Sequence, residues 1–155
     1  MSLVLDVPAV RPRVYVGLVT RAIAFAVDAA IVNTVAIVTA AIVALILTIV
    51  SKPDELRTVL VAVGGVAWVL WTVGYFATFW STTGQTPGNR LLRIRVSAAD
   101  GGALPLRRAL VRFVGLTLAA IPLFAGFALI LFDDRRRGLH DMLARSVVTE
   151  VARAA

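Results

Sequence analysis

What this chain lacks narrows its chemistry first. In 155 residues it has no cysteine, one histidine (His140) and one lysine (Lys52). Without cysteine there are no disulfides, no thiolate nucleophile and no thiolate metal site. His140 stands beside Asp141, with Asp133 and Asp134 close by, which falls short of a metal-ligand set in an arginine-rich stretch. No Ser/His/Asp arrangement points to hydrolysis. Gly84 to Arg90 lacks the Gly-x-x-x-x-Gly-Lys-Ser/Thr spacing that cradles phosphates. Neither enzyme activity, nor a metal, nor a cofactor is expected. Acidic residues are scarce as well, 9 against 16 basic ones, for a net charge of +7. A basic surplus can mark nucleic-acid binding, but these charges fall between apolar segments. There they act as topology signals and headgroup contacts, so no nucleic-acid partner is expected.

What is abundant is apolar. Hydrophobic residues make up 59% of the chain and the mean hydropathy is +0.89. A small soluble domain cannot be that apolar and still cover its surface. The expected class is an all-α membrane protein in one domain over residues 1–155, with the lipid bilayer as its first partner. Met1 to Asp6 lacks the basic start of a signal peptide, so the first apolar run is expected to be retained.

Three apolar segments organise the chain. The first, about 18–50, exceeds the ~20 residues needed to span a bilayer. Ser51-Lys52-Pro53-Asp54-Glu55 then makes a short polar turn. The second, about 56–80, carries Gly64, Gly65 and Gly74, residues that let a neighbouring helix approach. Its Tyr75, Phe76, Phe79 and Trp80 read as an interfacial aromatic belt. The short turn makes the two helices an antiparallel hairpin.

Residues 81–112 form a basic loop. Leu92, Ile94 and Val96 alternate with Arg93, Arg95 and Ser97 in a strand pattern, and Asp100-Gly101-Gly102 is a hairpin-type turn, so a short cytoplasmic β-ribbon is expected. The third apolar segment, 113–132, is broken at Pro122 and is either spanning or re-entrant; residues 133–155 form a polar C-terminal segment with strand-prone Ser146–Val151. That strand can pair with Leu92–Val96 only if both lie on one face of the membrane.

Orientation follows from the short-loop charges. Arg11, Arg13 and Arg21 precede the first segment, and Arg90, Arg93, Arg95, Arg107, Arg108 and Arg112 fill the second loop. Both regions are placed in the cytoplasm, in a multi-pass protein of the bacterial inner membrane. The six loop arginines are candidates for lipid headgroups, with topology enforcement the simpler role. A spanning third segment would put Arg135-Arg136-Arg137 on the wrong side, which favours the re-entrant form.

The most telling residue is Asp28, a carboxylate inside the first apolar run. A bare charge there costs roughly 2.5–3.5 kcal/mol on insertion scales, so it must be paired, solvated or neutralised. Arg21 lies seven residues earlier on the same helical face, about 10 Å away at 1.5 Å per residue. That is too far for a full bidentate pair. A second cation or donor is expected from the C-terminal element, where Arg135, Arg136, Arg137, Arg145 and His140 are available.

Three stretches in order carry a resemblance: Arg21-Ala22-Ile23-Ala24-Phe25-Ala26-Val27-Asp28, Gly84-Gln85-Thr86-Pro87-Gly88-Asn89-Arg90-Leu91-Leu92, and Arg135-Arg136-Arg137-Gly138-Leu139-His140-Asp141. Over about Val14 to Val151 the chain resembles the RDD family of small bacterial membrane proteins, named for one arginine and two aspartates. By position those residues are Arg21, Asp28 and Asp141, and Asp141 is a further partner for Arg21. Asn89 departs from the pattern, in which many relatives carry a basic residue, and weakens a phosphate or headgroup contact. The resemblance implies sodium–proton exchange, described for a few members, or association with larger membrane assemblies.

Two functions from different classes therefore stand. One is a non-catalytic accessory or assembly subunit that packs on other membrane-protein subunits. The other is cation/proton transport by a homo-oligomer using Asp28, since three segments without an inverted repeat are few for alternating access. Correspondingly, Arg21, Asp28 and Asp141 form either a fixed ion network or an ion-binding site.

Overall fold

Two long helices dominate the computed structural model, which describes residues 13–49, 54–122 and 125–151. Helix α1 is Leu18–Ile49 and helix α2 is Asp54–Thr82. Both are long and apolar enough to cross a bilayer. Ser51, Lys52 and Pro53 of the expected turn lie outside the described residues, as does Arg11. Residues near the start of α1 meet residues near the end of α2. The Phe25 and Phe76 rings stack with centroids 5.4 Å apart. The two helices are thus an antiparallel hairpin.

Burial is confined to one end of that hairpin. On α1 the buried residues are Arg21, Ala24, Asp28 and Val32, spaced by three and four so that they share one face. On α2 none before Tyr75 is buried among the described residues. Tyr75, Phe76 and Trp80 then turn inward, and Phe76 also meets Trp80 at 5.1 Å and Phe113 at 6.0 Å. This corrects the reading of these rings as an interfacial belt. They are the apolar core of the hairpin's closed end, because the rest of the chain folds over them.

That covering layer begins with α3 (Pro87–Leu91), a single turn capped by Thr86, whose hydroxyl accepts from Asn89 N, with Pro87 in the first turn. Strand β1 (Ile94–Ala98) follows, with Ile94, Val96 and Ala98 buried and Arg95 exposed, the alternation its sequence shows. The third apolar segment starts earlier than expected, as α4 (Leu106–Ala120), so Arg107, Arg108 and Arg112 belong to a helix. Beyond Pro122 come α5 (Ala125–Ala128) and a 3-10 turn (Leu129–Leu131). The two arms bend by 112°. Proline cannot continue the helical hydrogen bonding. The arms also pack closely, since a Cβ on Gly126 would fall 2.6 Å from that of Ala119.

Helix α6 (Leu139–Ala144) returns against α4, where a Cβ on Gly115 would lie 2.9 Å from the His140 Cα. Strand β2 (Ser146–Glu150) then pairs antiparallel with β1, from Ile94 opposite Glu150 to Ala98 opposite Ser146. Tyr15 adds a single bridge to Thr149. The ribbon exists, but its partner comes from the end of the chain, not from a local hairpin. The Asp100 turn instead closes on itself, with Asp100 accepting from Gly102 N at 2.9 Å, and leads into α4. Pairing of β1 with β2 requires both ends of the third segment to lie at one end of the hairpin. The segment therefore folds back.

Candidate functional site

The closed end holds two carboxylates removed from solvent, Asp28 at 2% exposure and Asp141 at 0%. Their surroundings are built differently.

Asp141 sits in the first turn of α6, where its Oδ2 accepts from Gly138 N at 3.1 Å. Two guanidinium groups converge on it. Arg21 of α1 approaches Oδ2 at 2.5 Å, and Arg112 of α4 bonds Oδ1. Ser146 joins the same network, donating to Asp141 at 3.2 Å and accepting from Arg112 at 2.6 Å. Arg21 is further fixed by the Val16 carbonyl at 3.0 Å and the Arg136 carbonyl at 2.6 Å. Arg112 lies over the Trp80 ring at 5.0 Å, a cation–π contact from α2. One carboxylate thus ties together α1, α4, α6 and β2, with α2 touched through Trp80.

The charges around Asp141 decide its ionisation. Burial alone would raise its pKa. The Arg112 and Arg21 guanidinium groups and the Gly138 N–H outweigh that, and hold the carboxyl well below the usual range. The neighbouring His140 lies 3.5 Å from the Asp141 carboxylate. Burial pushes its pKa down to about 3, and the pull of Asp141 in the other direction is offset by the two arginines. At neutral pH the imidazole is uncharged, with its ring against Phe127 at 5.2 Å.

Among the described residues no cation hydrogen-bonds Asp28. Its carboxylate accepts from the Tyr75 hydroxyl at 3.0 Å, the Thr86 hydroxyl at 2.5 Å and Gly88 N at 2.8 Å. These donors explain the Gly84–Leu92 stretch. Thr86 caps α3 and bonds Asp28 at once, Pro87 starts the turn, and Gly88 admits the approach. A Cβ on Gly88 would press on the Ala24 carbonyl of α1 and lie 2.9 Å from Asp28 Oδ2.

Arg21 and Asp141 are brought together, whereas Asp28 stands apart, held by α2 and the α3 turn and not by the C-terminal element. Arg135, Arg136 and Arg145 have exposed side chains and bond neither carboxylate; Arg136 offers Arg21 only its carbonyl. Arg137 pairs instead with Asp133 at 2.8 Å. That hydrogen-bonded pair lowers the Asp133 pKa to about 2.

Arg112 departs most from expectation. Read as a headgroup candidate, it is 5% exposed and is the second cation at Asp141. The available signal was its face on α4, shared with Ala109, Gly115 and Ala119, small residues that mark a packed surface. The other candidates fare differently: Arg90, Arg93, Arg95 and Arg107 are exposed and Arg108 is half-buried. Asn89 is buried, with its N–H on Thr86. Among the described residues no three of His, Asp and Glu gather as a metal-binding group.

The RDD family profile matches residues 15–145. The chain belongs to the RDD family. It is 30% identical over 106 residues to a proline-rich antigen homolog of Mycobacterium tuberculosis, in strains CDC 1551 / Oshkosh and ATCC 25618 / H37Rv. Each match covers 66% of this chain and 43% of the relative, so the chain spans less than half of those proteins. No solved structure matches.

Proposed function

We propose that this RDD-family chain is a non-catalytic membrane subunit that assembles with other membrane-protein subunits through the open halves of α1 and α2. One observation carries the reading. Beyond Val32 on α1 and before Tyr75 on α2 no described residue is buried, and a Cβ added at Gly64, Gly65 or Gly74 would meet nothing within 4 Å. Small residues on a spanning helix are where another helix can come close. The Asp141 centre supports an architectural role, because both of its arginines are already bonded to the carboxylate.

The same reading places the chain in the bacterial cytoplasmic membrane as a multi-pass protein. The exposed arginines Arg13, Arg90, Arg93, Arg95 and Arg107 sit in the segments at the closed end, which the positive-inside rule puts in the cytoplasm with the N-terminal segment. Arg90, Arg93, Arg95, Arg107 and Arg108 then meet anionic headgroups. Cross-linking in native membranes tests the assembly. A discrete higher species should form with the natural chain and vanish with Gly64→Leu and Gly65→Leu, while thermal stability in detergent is kept. A chain that stays monomeric in membranes contradicts it.

A second reading is cation/proton exchange through Asp28 in a homo-oligomer. It is favoured by the lack of a cationic partner on Asp28 among the described residues and by the position of that carboxylate on the wall of a cavity. Proteoliposomes holding the chain alone would then exchange sodium for protons, and folded Asp28→Asn would not.

A further inference from the structure

Asn33 and Trp68 are polar groups placed where hydrocarbon cannot hydrogen-bond them. Asn33 lies 15 residues past Leu18 and 16 before Ile49 on α1, and Trp68 lies 14 residues from either end of α2. A hydrocarbon core of about 30 Å includes both, wherever it falls along helices of about 48 and 44 Å. Both side chains are exposed. Asn33 Nδ2 donates to the Ala29 carbonyl at 2.8 Å, which leaves the amide one N–H and its Oδ1. The hydroxyls of Thr39 and Thr48 differ. Each gives its only proton to a helix carbonyl, that of Val35 at 2.9 Å and of Leu45 at 2.7 Å. The Trp68 indole N–H, always a donor, has no acceptor among the described residues. Tryptophan is enriched at the membrane interface, where its N–H finds headgroups and water, and Trp68 is far from either interface.

The closed end fixes how these two groups are related. Phe25 of α1 and Phe76 of α2 face each other, their centroids 5.4 Å apart. Asn33 stands eight residues from Phe25 toward the open end, and Trp68 stands eight residues from Phe76 in the same direction. The two therefore lie at one depth. Eight residues turn a helix by about 80° beyond two full turns. Because the helices are antiparallel, those turns carry Asn33 and Trp68 to opposite flanks of the hairpin. They cannot meet within one chain. An acceptor on one flank and a donor on the other, at equal depth, instead match neighbouring copies set side by side.

We propose that a second copy of this chain docks on the Asn33 flank, its Trp68 Nε1 donating to Asn33 Oδ1. Polar side chains that bond across helices in this way hold membrane helices together. Gly64, one turn from Trp68, leaves open space for the neighbouring α1. The contact sets one flank against the other, so it repeats from copy to copy instead of closing on a pair. The proposal rests on the assembly reading and names its partner.

The natural chain has no cysteine, so thiols can be placed at will. Ile37→Cys and Gly64→Cys lie one turn beyond Asn33 and Trp68, again at one depth and on the two flanks. The purified double variant is reconstituted into vesicles of phosphatidylethanolamine and phosphatidylglycerol and oxidised with copper–phenanthroline. A disulfide ladder of dimers, trimers and larger species should form, while each single variant stays monomeric. Adding Asn33→Leu or Trp68→Phe should cut the ladder about threefold, the effect of one bond between helices, with the melting temperature kept. A disulfide inside one chain, dimers from a single variant, or a ladder indifferent to both substitutions overturns the proposal. Monomer in the vesicles beside a discrete cross-linked species in native membranes also overturns it, and leaves the assembly reading with a different protein as partner. Monomer in both removes the two readings together.

Discussion

Asp28 and Asp141 are both carboxylates buried at the closed end of a membrane hairpin, yet one is met by two arginines and the other by two hydroxyls and an amide. The difference separates two ways of keeping an acid out of water. Around Asp141 the compensation is ionic and long-range in sequence, drawing Arg21 from 120 residues away and Arg112 from 29. Around Asp28 it is hydrogen bonding, with Tyr75 and the α3 turn supplying fixed donors. The cavity sharpens the contrast, because Asp28 lies on its wall and Asp141 does not. Asp141 is a clasp. Asp28 is a placed carboxylate that holds a turn and remains next to open space.

The largest expected effect comes from opening the clasp. Asp141→Asn leaves two buried guanidinium groups without their counter-charge, which costs about 3–5 kcal/mol for a pair broken on one side. Asp28→Asn keeps an amide of the same shape among neutral donors and should cost about 1–3 kcal/mol, the range for one buried group left unsatisfied. Unfolding in detergent checks both. Equal losses would erase the distinction between the two sites.

Next in size is Gly88→Ala. Its Cβ would press on a backbone carbonyl of α1 that cannot move aside cheaply. Overpacking of this kind costs about 1–3 kcal/mol. The variant should also lose the bond from the backbone N–H at position 88 to Asp28, which amide hydrogen exchange at that position would detect as faster exchange. Unchanged exchange and stability would mean that Asp28 does not depend on the turn.

The last effect is a pH slope, spread over about two pH units. Folded His140 is held to about 3, whereas an unfolded histidine titrates near 6.5. As pH falls from about 6.5 the unfolded chain gains a proton that the folded chain refuses, so stability declines. Asp141, held low, contributes stability that is present above about 3.9 and is lost only below it. Between pH 6.5 and 4.5 the decline therefore belongs to His140. The melting temperature of the natural chain should fall across that window and that of His140→Gln should stay level. Parallel slopes would place the titrating group elsewhere.

Much of this could be read in the residues themselves. Hydropathy alone marks α1 and α2, Pro122 marks the break, and the alternation around Ile94 marks a strand. The inward face of α1 is visible in the spacing of Arg21 and Asp28. The Arg21–Asp141 contact and the pairing of the two strands were open possibilities, but the other long-range contacts could not be read. Arg112 looks like one more loop arginine until α4 is seen to begin at Leu106 and to set it on a small-residue face. Thr86 reads as turn chemistry, and only the approach of α1 shows its hydroxyl aimed at Asp28. The aromatics from Tyr75 to Trp80 suit a membrane interface by composition, but part of the layer that covers them comes from far along the chain, as the Phe76–Phe113 contact shows.

The meeting of Arg21 with Asp141 requires that the third segment fold back, and the chain's lack of cysteine makes this directly measurable. Arg95→Cys and Glu150→Cys each place one thiol on an exposed position of the paired strands. Each is treated with a membrane-impermeant maleimide in membranes of known orientation. The predicted result is labelling of both positions from the same side only. Labelling from opposite sides would separate β1 from β2 across the bilayer and contradict the Arg21–Asp141–Arg112 centre.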